Sequence, residues 1–175
     1  GQAPRVCPGA IENWRRQLED AVRDGRELRR TLGLAEDETA SRAEEDFSVL
    51  VPPGYLELLR QPEAESLRRM VVPDARERVA DDLAADDPMH EGADSPVAGV
   101  VHRYPDRVLW LVSEHCAVHC RFCTRRGRLA RSGTAPSFDL RAAADYLHRC
   151  DGVREVILSG GDPLLLDDRV LGEIL

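Results

Sequence analysis

From Gly9 to Leu32, apolar residues keep to one side of a helical wheel. Ile11, Trp14, Leu18, Ala21, Val22, Leu28 and Leu32 recur near a 3.6-residue period, and Gly33 supplies a stop. The spacing predicts one amphipathic helix over 9–32. A second helical stretch opens at Ala35 with acidic residues in its first turn, and Val51-Pro52-Pro53-Gly54 interrupts it. Further helices are predicted over 54–60 and 73–86, separated around Pro62. Between Asp87 and Asp106, Pro, Gly, Asp and His are frequent. That composition predicts an ordered connection, not a linker.

The period then changes. Val108-Leu109-Trp110-Leu111-Val112 is an unbroken apolar run, the mark of a strand buried on both faces. A loop with three cysteines follows. Residues 139–148 read as a helix capped by Ser137 or Asp139. Val156-Ile157-Leu158 reads as a second short buried strand. Ser159-Gly160-Gly161-Asp162-Pro163 makes a turn, and another helix starts near Asp167. The order strand, loop, helix, strand, loop, helix gives two units of a parallel α/β structure. The expected class is therefore α/β: a helical N-terminal region over 1–98, then over 99–175 the first two βα units of a partial TIM-type barrel. In such barrels chemistry collects at the C-terminal ends of the strands. Both the cysteine loop and the Gly-Gly-Asp turn are expected there.

Composition narrows the setting. Charged residues make up 32% of the 175 positions, and no apolar run approaches the roughly 18 residues of a membrane span. No signal peptide is visible at the N-terminus, so a cytoplasmic protein without a membrane partner is expected. Gly1 at the start and Leu175 inside a helical pattern suggest a piece of a longer protein. Residues 1–98 hold 22 acids against 13 arginines, whereas residues 99–175 hold 10 against 11. A chain this acidic is a poor partner for nucleic acid. Arg121, Arg125, Arg126, Arg128 and Arg131 nevertheless crowd around the cysteines. They suit a local carboxylate or phosphate ligand, or form a plain solvated face. All 24 Lys/Arg positions are arginine, so chemistry that needs a lysine must come from elsewhere.

Cys7 and Cys150 stand alone and read as small packing residues. Cys116-Ala-Val-His-Cys120-Arg-Phe-Cys123 is a C-x3-C-x2-C loop. Three thiolates so spaced can bind three irons of a [4Fe–4S] cube and leave the fourth iron open to a chelating substrate. A structural zinc site is the competing reading. It would draw its fourth ligand from His115 or His119, each of which directly precedes a cysteine and is badly placed for the same ion.

The loop after a first barrel strand resembles the radical S-adenosylmethionine (SAM) superfamily. The words around it are similar to those of the lysine 2,3-aminomutase family: His102-Arg-Tyr-Pro-Asp-Arg107, Cys123-Thr-Arg-Arg126, Leu158-Ser-Gly-Gly-Asp162, Asp87-Pro-Met-His-Glu91, Asp94-Ser-Pro96 and the first helix with Trp14. The resemblance runs along nearly the whole chain and implies a radical SAM barrel. It also implies an isomerase that moves an amino group from C2 to C3 of an amino acid, lysine foremost, through a pyridoxal 5′-phosphate (PLP) aldimine and a 5′-deoxyadenosyl radical.

By that resemblance Cys116, Cys120 and Cys123 hold the [4Fe–4S] cluster. Gly160, Gly161 and Asp162 meet the methionine amine of SAM. Arg103, Tyr104 and Arg107 lie at the PLP phosphate, and Arg125 pairs with the substrate carboxylate. It further implies an electron donor such as flavodoxin or ferredoxin, and a homo-oligomer at full length. The family's PLP-bearing lysine has no counterpart here, so this stretch alone is expected to be inactive. A related branch modifies a lysine on a translation elongation factor. That branch has an aromatic after the last cysteine, where this chain has Thr124, which favours a free amino acid.

Overall fold

A computed structural model describes residues 14–79, 87–129 and 139–175. The chain divides into two compact units, residues 1–79 with 117–122, and residues 80–116 with 123–175.

The first unit is helical: α1 (Trp14–Glu19), α2 (Gly25–Thr31), α3 (Glu38–Asp46), α4 (Pro53–Leu59), α5 (Glu65–Val71) and a 3₁₀ turn at Ala75–Arg78. Its core joins Leu28, Val49, Val51, Leu56, Leu59, Val71 and Val72. The single helix expected over 9–32 is two helices among the described residues, and 9–13 lie outside them. Val22 leaves the helix to pair with Val51, exchanging both backbone hydrogen bonds at 2.9 Å. Asp24 then restarts the helix by accepting from the Glu27 N–H at 2.7 Å. The helix expected over 73–86 is also corrected. Helix α5 ends at Val71, just before Pro73. Asp74 then opens only a 3₁₀ turn, with Glu77 completing a capping box. Residues 80–86 lie outside the described residues.

The second unit is α/β. Strands β1 (Val100–Tyr104), β2 (Arg107–Ser113) and β3 (Glu155–Gly160) form one sheet in that order. β1 pairs antiparallel with β2, and β2 pairs parallel with β3. β1 lies inside the stretch expected to be a connection. Helix α6 (Arg126–Leu129) follows the cysteine loop, and α7 (Leu140–His148) and α8 (Asp168–Ile174) fall where the pattern put them. Asp139 caps α7 through the N–H groups of Arg141 and Ala142.

Alternation along the strands sorts the two faces of the sheet. Val100, Val108, Trp110 and Val112 pack against Ala143 of α7. Val101, Leu109 and Ile157 lie in register across all three strands and face the other way. β3 is not the fully buried strand expected. Val156 is 42% and Ile157 44% exposed, because among the described residues β3 is at the sheet's edge and Ile157 borders an open cavity.

Candidate functional site

The face of the sheet opposite α7 carries a cavity of about 260 Å³. Val101, Leu109 and Ile157 form its apolar floor, and Met89, Glu91, Arg103, Tyr104, Arg107 and Arg125 supply much of the rest. Four residues singled out in the sequence, Arg103, Tyr104, Arg107 and Arg125, are thus brought to one place. The β1–β2 hairpin presents the first three, and the segment just after Cys123 presents the fourth.

Each arginine has a defined partner. Arg103 donates through Nε to Asp94 Oδ2 at 2.6 Å and through Nη2 to the Met89 carbonyl. The Asp94 hydrogen bond raises the Arg103 pKa above its ordinary value. Arg107 donates to both Asp106 oxygens at 3.3 Å, lies 3.7 Å from Glu155 and sits 6.0 Å from the Tyr104 ring centre. That hydrogen bond raises the Arg107 pKa and lowers that of Asp106. Arg125 is more enclosed, with its side chain 21% exposed and that of Glu91 10%. Its Nε donates to the Glu91 oxygens at 3.0 and 2.9 Å, its Nη2 also bonds Oε1, and its Nη1 reaches Ser159 Oγ at 3.4 Å.

Glu91, Asp94 and Ser159 are the polar neighbours that residue-by-residue reading did not single out. Their signal was present as short words without roles, Asp87 to Glu91, Asp94-Ser-Pro96 and Leu158 to Asp162. Asp87 explains the first word. Its carboxylate accepts from the N–H groups of Glu91 at 2.9 Å and Gly92 at 2.8 Å, which turns the backbone and aims Glu91 inward.

The C-terminal ends of β2 and β3 meet at the Gly-Gly-Asp turn. Gly161 N–H donates to the Ser113 carbonyl and Asp162 N–H to the His115 carbonyl, each at 2.6 Å. A Cβ on Gly160 would stand 2.1 Å from the Ser113 oxygen, and one on Gly161 2.1 Å from the His115 oxygen. Gly160 also has φ +123°. Two glycines are needed here simply to bring the strand ends together. Asp162 uses its carboxylate to cap the next turn, accepting from Leu164 N–H at 3.0 Å.

Cys116, Cys120 and Cys123 are half-buried thiols and not disulfides. Cys120 belongs to the helical unit, Cys116 and Cys123 to the sheet unit. Among the described residues, no three Cys, His, Asp or Glu side chains are gathered as a metal cage. The donor chemistry fits an iron–sulfur cluster, with three soft thiol donors on one loop that is neither helix nor strand. His119 fits a zinc site less well. Its ring stacks on Phe47 at 5.1 Å and its Nδ1 is within 3.2 Å of Ser48, while burial lowers its pKa.

No protein-family model matches the chain. It is similar to curated proteins named L-lysine 2,3-aminomutase. The protein from Methanococcus maripaludis is 35% identical over 175 residues, covering 94% of this chain and 40% of that relative. The Clostridium subterminale protein is 37% identical over 169 residues, 93% of this chain and 40% of its own length. That from Bacillus subtilis is 36% identical over 167 residues, 93% and 36%. The chain thus spans about two fifths of the length of the curated relatives it matches. Over nearly all of its own length the chain is thus similar to proteins that share one description, L-lysine 2,3-aminomutase.

Proposed function

We propose that these residues are the cofactor-holding part of a radical SAM amino acid 2,3-aminomutase acting on a free amino acid, lysine foremost. The observation that carries this reading is the cavity, where Arg103, Tyr104, Arg107 and Arg125 converge on the sheet face opposite α7. A cavity lined by three guanidiniums over an apolar floor suits an anionic, partly apolar ligand. In this reading the three-stranded sheet is the opening part of a TIM-type barrel and that face is its interior.

When bound, the cluster with SAM supplies hydrogen-atom abstraction and PLP carries the migrating amine. The chain's own residues bind and orient. Cys116, Cys120 and Cys123 provide three thiolates. Gly160 and Gly161 hold the strand ends at close approach, so that backbone and Asp162 can receive the methionine amine of SAM. Arg103 and Arg107, with Tyr104 beside them, take the PLP phosphate. Arg125 takes the substrate carboxylate. Glu91 holds the Nε–Nη2 edge of Arg125 and Ser159 Oγ lies 3.4 Å from Nη1, so a two-point contact would use the second N–H of Nη2 together with an N–H of Nη1. These residues contain no lysine, so they hold the phosphate end of PLP and not its aldehyde. An electron donor of the flavodoxin or ferredoxin type and a homo-oligomeric full-length enzyme complete the proposal.

Anaerobic reconstitution of the full chain tests it. Near-stoichiometric iron and sulfide are expected, stripped by Cys→Ala at 116, 120 or 123 and unaffected by Cys150→Ala. Stoichiometric zinc without sulfide would overturn the reading in favour of a zinc module. Turnover of free lysine separates the aminomutase from a protein-modifying relative.

A further inference from the structure

Arg121 sits beside Cys120. The sequence offered it for an anionic ligand or a solvated face, whereas the structure buries it. Its side chain is 5% exposed, against 13% for its partner Glu77. Its Nε donates to the Glu77 oxygens at 3.0 and 3.2 Å and its Nη2 to Oε2 at 2.8 Å. Its remaining N–H groups go to backbone carbonyls, Phe47 at 2.6 Å, Ala43 at 3.1 Å and Ser48 at 3.3 Å. Those carbonyls lie at and just beyond the C-terminal end of α3, where the helix dipole favours a cation. The guanidinium also lies 5.2 Å from the Phe47 ring centre. The main chain is tied down as well. Arg121 N–H donates to Met70 O at 2.7 Å and His119 N–H to Leu50 O at 3.1 Å. Val118 packs on the helical core. Cys120 is therefore held from both sides.

We infer that Arg121 is a positioning residue, whose buried guanidinium locks the 117–122 segment into the helical unit and so fixes where Cys120 presents its thiol. The inference rests on the cluster reading above. Bulk stabilisation alone would not require an arginine between two cysteines, and burying an ion pair is often no better than burying apolar side chains. What the pair gives is a defined location. Glu77 is itself fixed, because its carboxylate also accepts from Asp74 N–H at 3.0 Å in the capping box. The lock thus runs from the 3₁₀ turn through Glu77 and Arg121 to the backbone of Cys120. Lysine cannot replace the fork, since an ammonium cannot span Glu77 and three carbonyls at once.

The test compares Arg121→Lys and Glu77→Gln with Leu59→Val, a buried core change in the same unit, in the full chain. Urea midpoints of the apo-proteins are measured first. Iron and sulfide content, the electron paramagnetic resonance spectrum of the reduced cluster and its lifetime in air are then compared. In parallel, alkylation of the apo-protein thiols is followed site by site. Arg121→Lys is expected to shift the resonance spectrum and to shorten cluster lifetime about ten-fold, the scale on which outer partners of metal ligands act. It is also expected to speed alkylation of Cys120 but not of Cys116. Glu77→Gln should do the same more weakly, and it carries the test if Arg121→Lys does not fold. Leu59→Val should lower the urea midpoint without any of these changes. Wild-type iron, spectrum and Cys120 reactivity in both lock variants would overturn the inference and leave the cluster reading standing. So would cluster loss that merely follows the urea midpoint across all three variants. Failure of the wild-type chain to take up iron and sulfide would instead remove the cluster reading, and the inference with it.

Discussion

Replacing Gly161 by Ala probes the junction of β2 and β3 directly. The new methyl would sit 2.1 Å from the His115 oxygen, 2.6 Å from its carbonyl carbon and 2.8 Å from its nitrogen. All three neighbours are backbone, so no side chain can swing aside. Contacts under 3.0 Å are essentially never seen for a real Cβ, so the strand ends must separate by about 1 Å, an overpacking shift of the kind that costs about 1–3 kcal/mol. That separation loosens the two 2.6 Å hydrogen bonds, Gly161 to Ser113 and Asp162 to His115, at about 1 kcal/mol each. A loss of about 3–5 kcal/mol is expected from these terms. Gly160→Ala should lose at least as much, since its methyl meets the Ser113 oxygen at 2.1 Å and its φ of +123° is foreign to alanine. Gly172 is the control. It lies within α8, nothing stands within 4 Å of its added Cβ, and alanine there should be neutral or gain up to about 1 kcal/mol. Urea unfolding followed by far-ultraviolet circular dichroism measures all three. A Gly161→Ala protein within about 0.5 kcal/mol of the parent, the range of an inconsequential surface change, would refute the argument that close approach requires these glycines.

Two further outcomes follow from ion pairs. Glu91→Ala should cost about 3 kcal/mol, because it strands a largely buried Arg125. Arg125→Ala added to it should recover part of that loss in a double-mutant cycle, and strict additivity would show that the two do not interact. The pKa of Asp74 is lowered to about 2, chiefly by its Arg76 hydrogen bonds. Its contribution is therefore present above the ordinary carboxylate pKa and is lost as pH falls toward about 2. The effect should be small and weakened by salt, since the Asp74 side chain is 44% exposed. An acid-unfolding curve unchanged by Asp74→Asn would refute it.

The sequence revealed elements with a strong period and missed those decided by distant partners. β2, α7 and α8 were legible because an apolar run, an Asp cap and a 3.6-residue period are local signals. The break after α1 was not, because Val22 leaves its helix for Val51, a partner 29 positions away. β1 was hidden by the Pro/Gly/Asp-rich stretch before it, and only pairing with β2 makes it a strand. The arginines of the cavity were given roles through resemblance; crowding around the cysteines pointed Arg125 toward an anionic ligand or a solvated face, and nothing local marked Arg103 or Arg107. Glu91 went unassigned because nothing local distinguishes it from the other acids of an acidic region. Its burial comes from the Asp87 turn and from Arg125.

β3 is paired on one side only among the described residues. In a parallel strand so placed, alternate peptide groups bond β2 and the others point outward. Amide hydrogens of β3 should therefore exchange with solvent in a two-residue rhythm, slow then fast, as long as that edge stays open. A strand added alongside would erase the rhythm and cover Val156 and Ile157 in the same event. The exchange pattern of six residues thus reports whether the sheet has been extended.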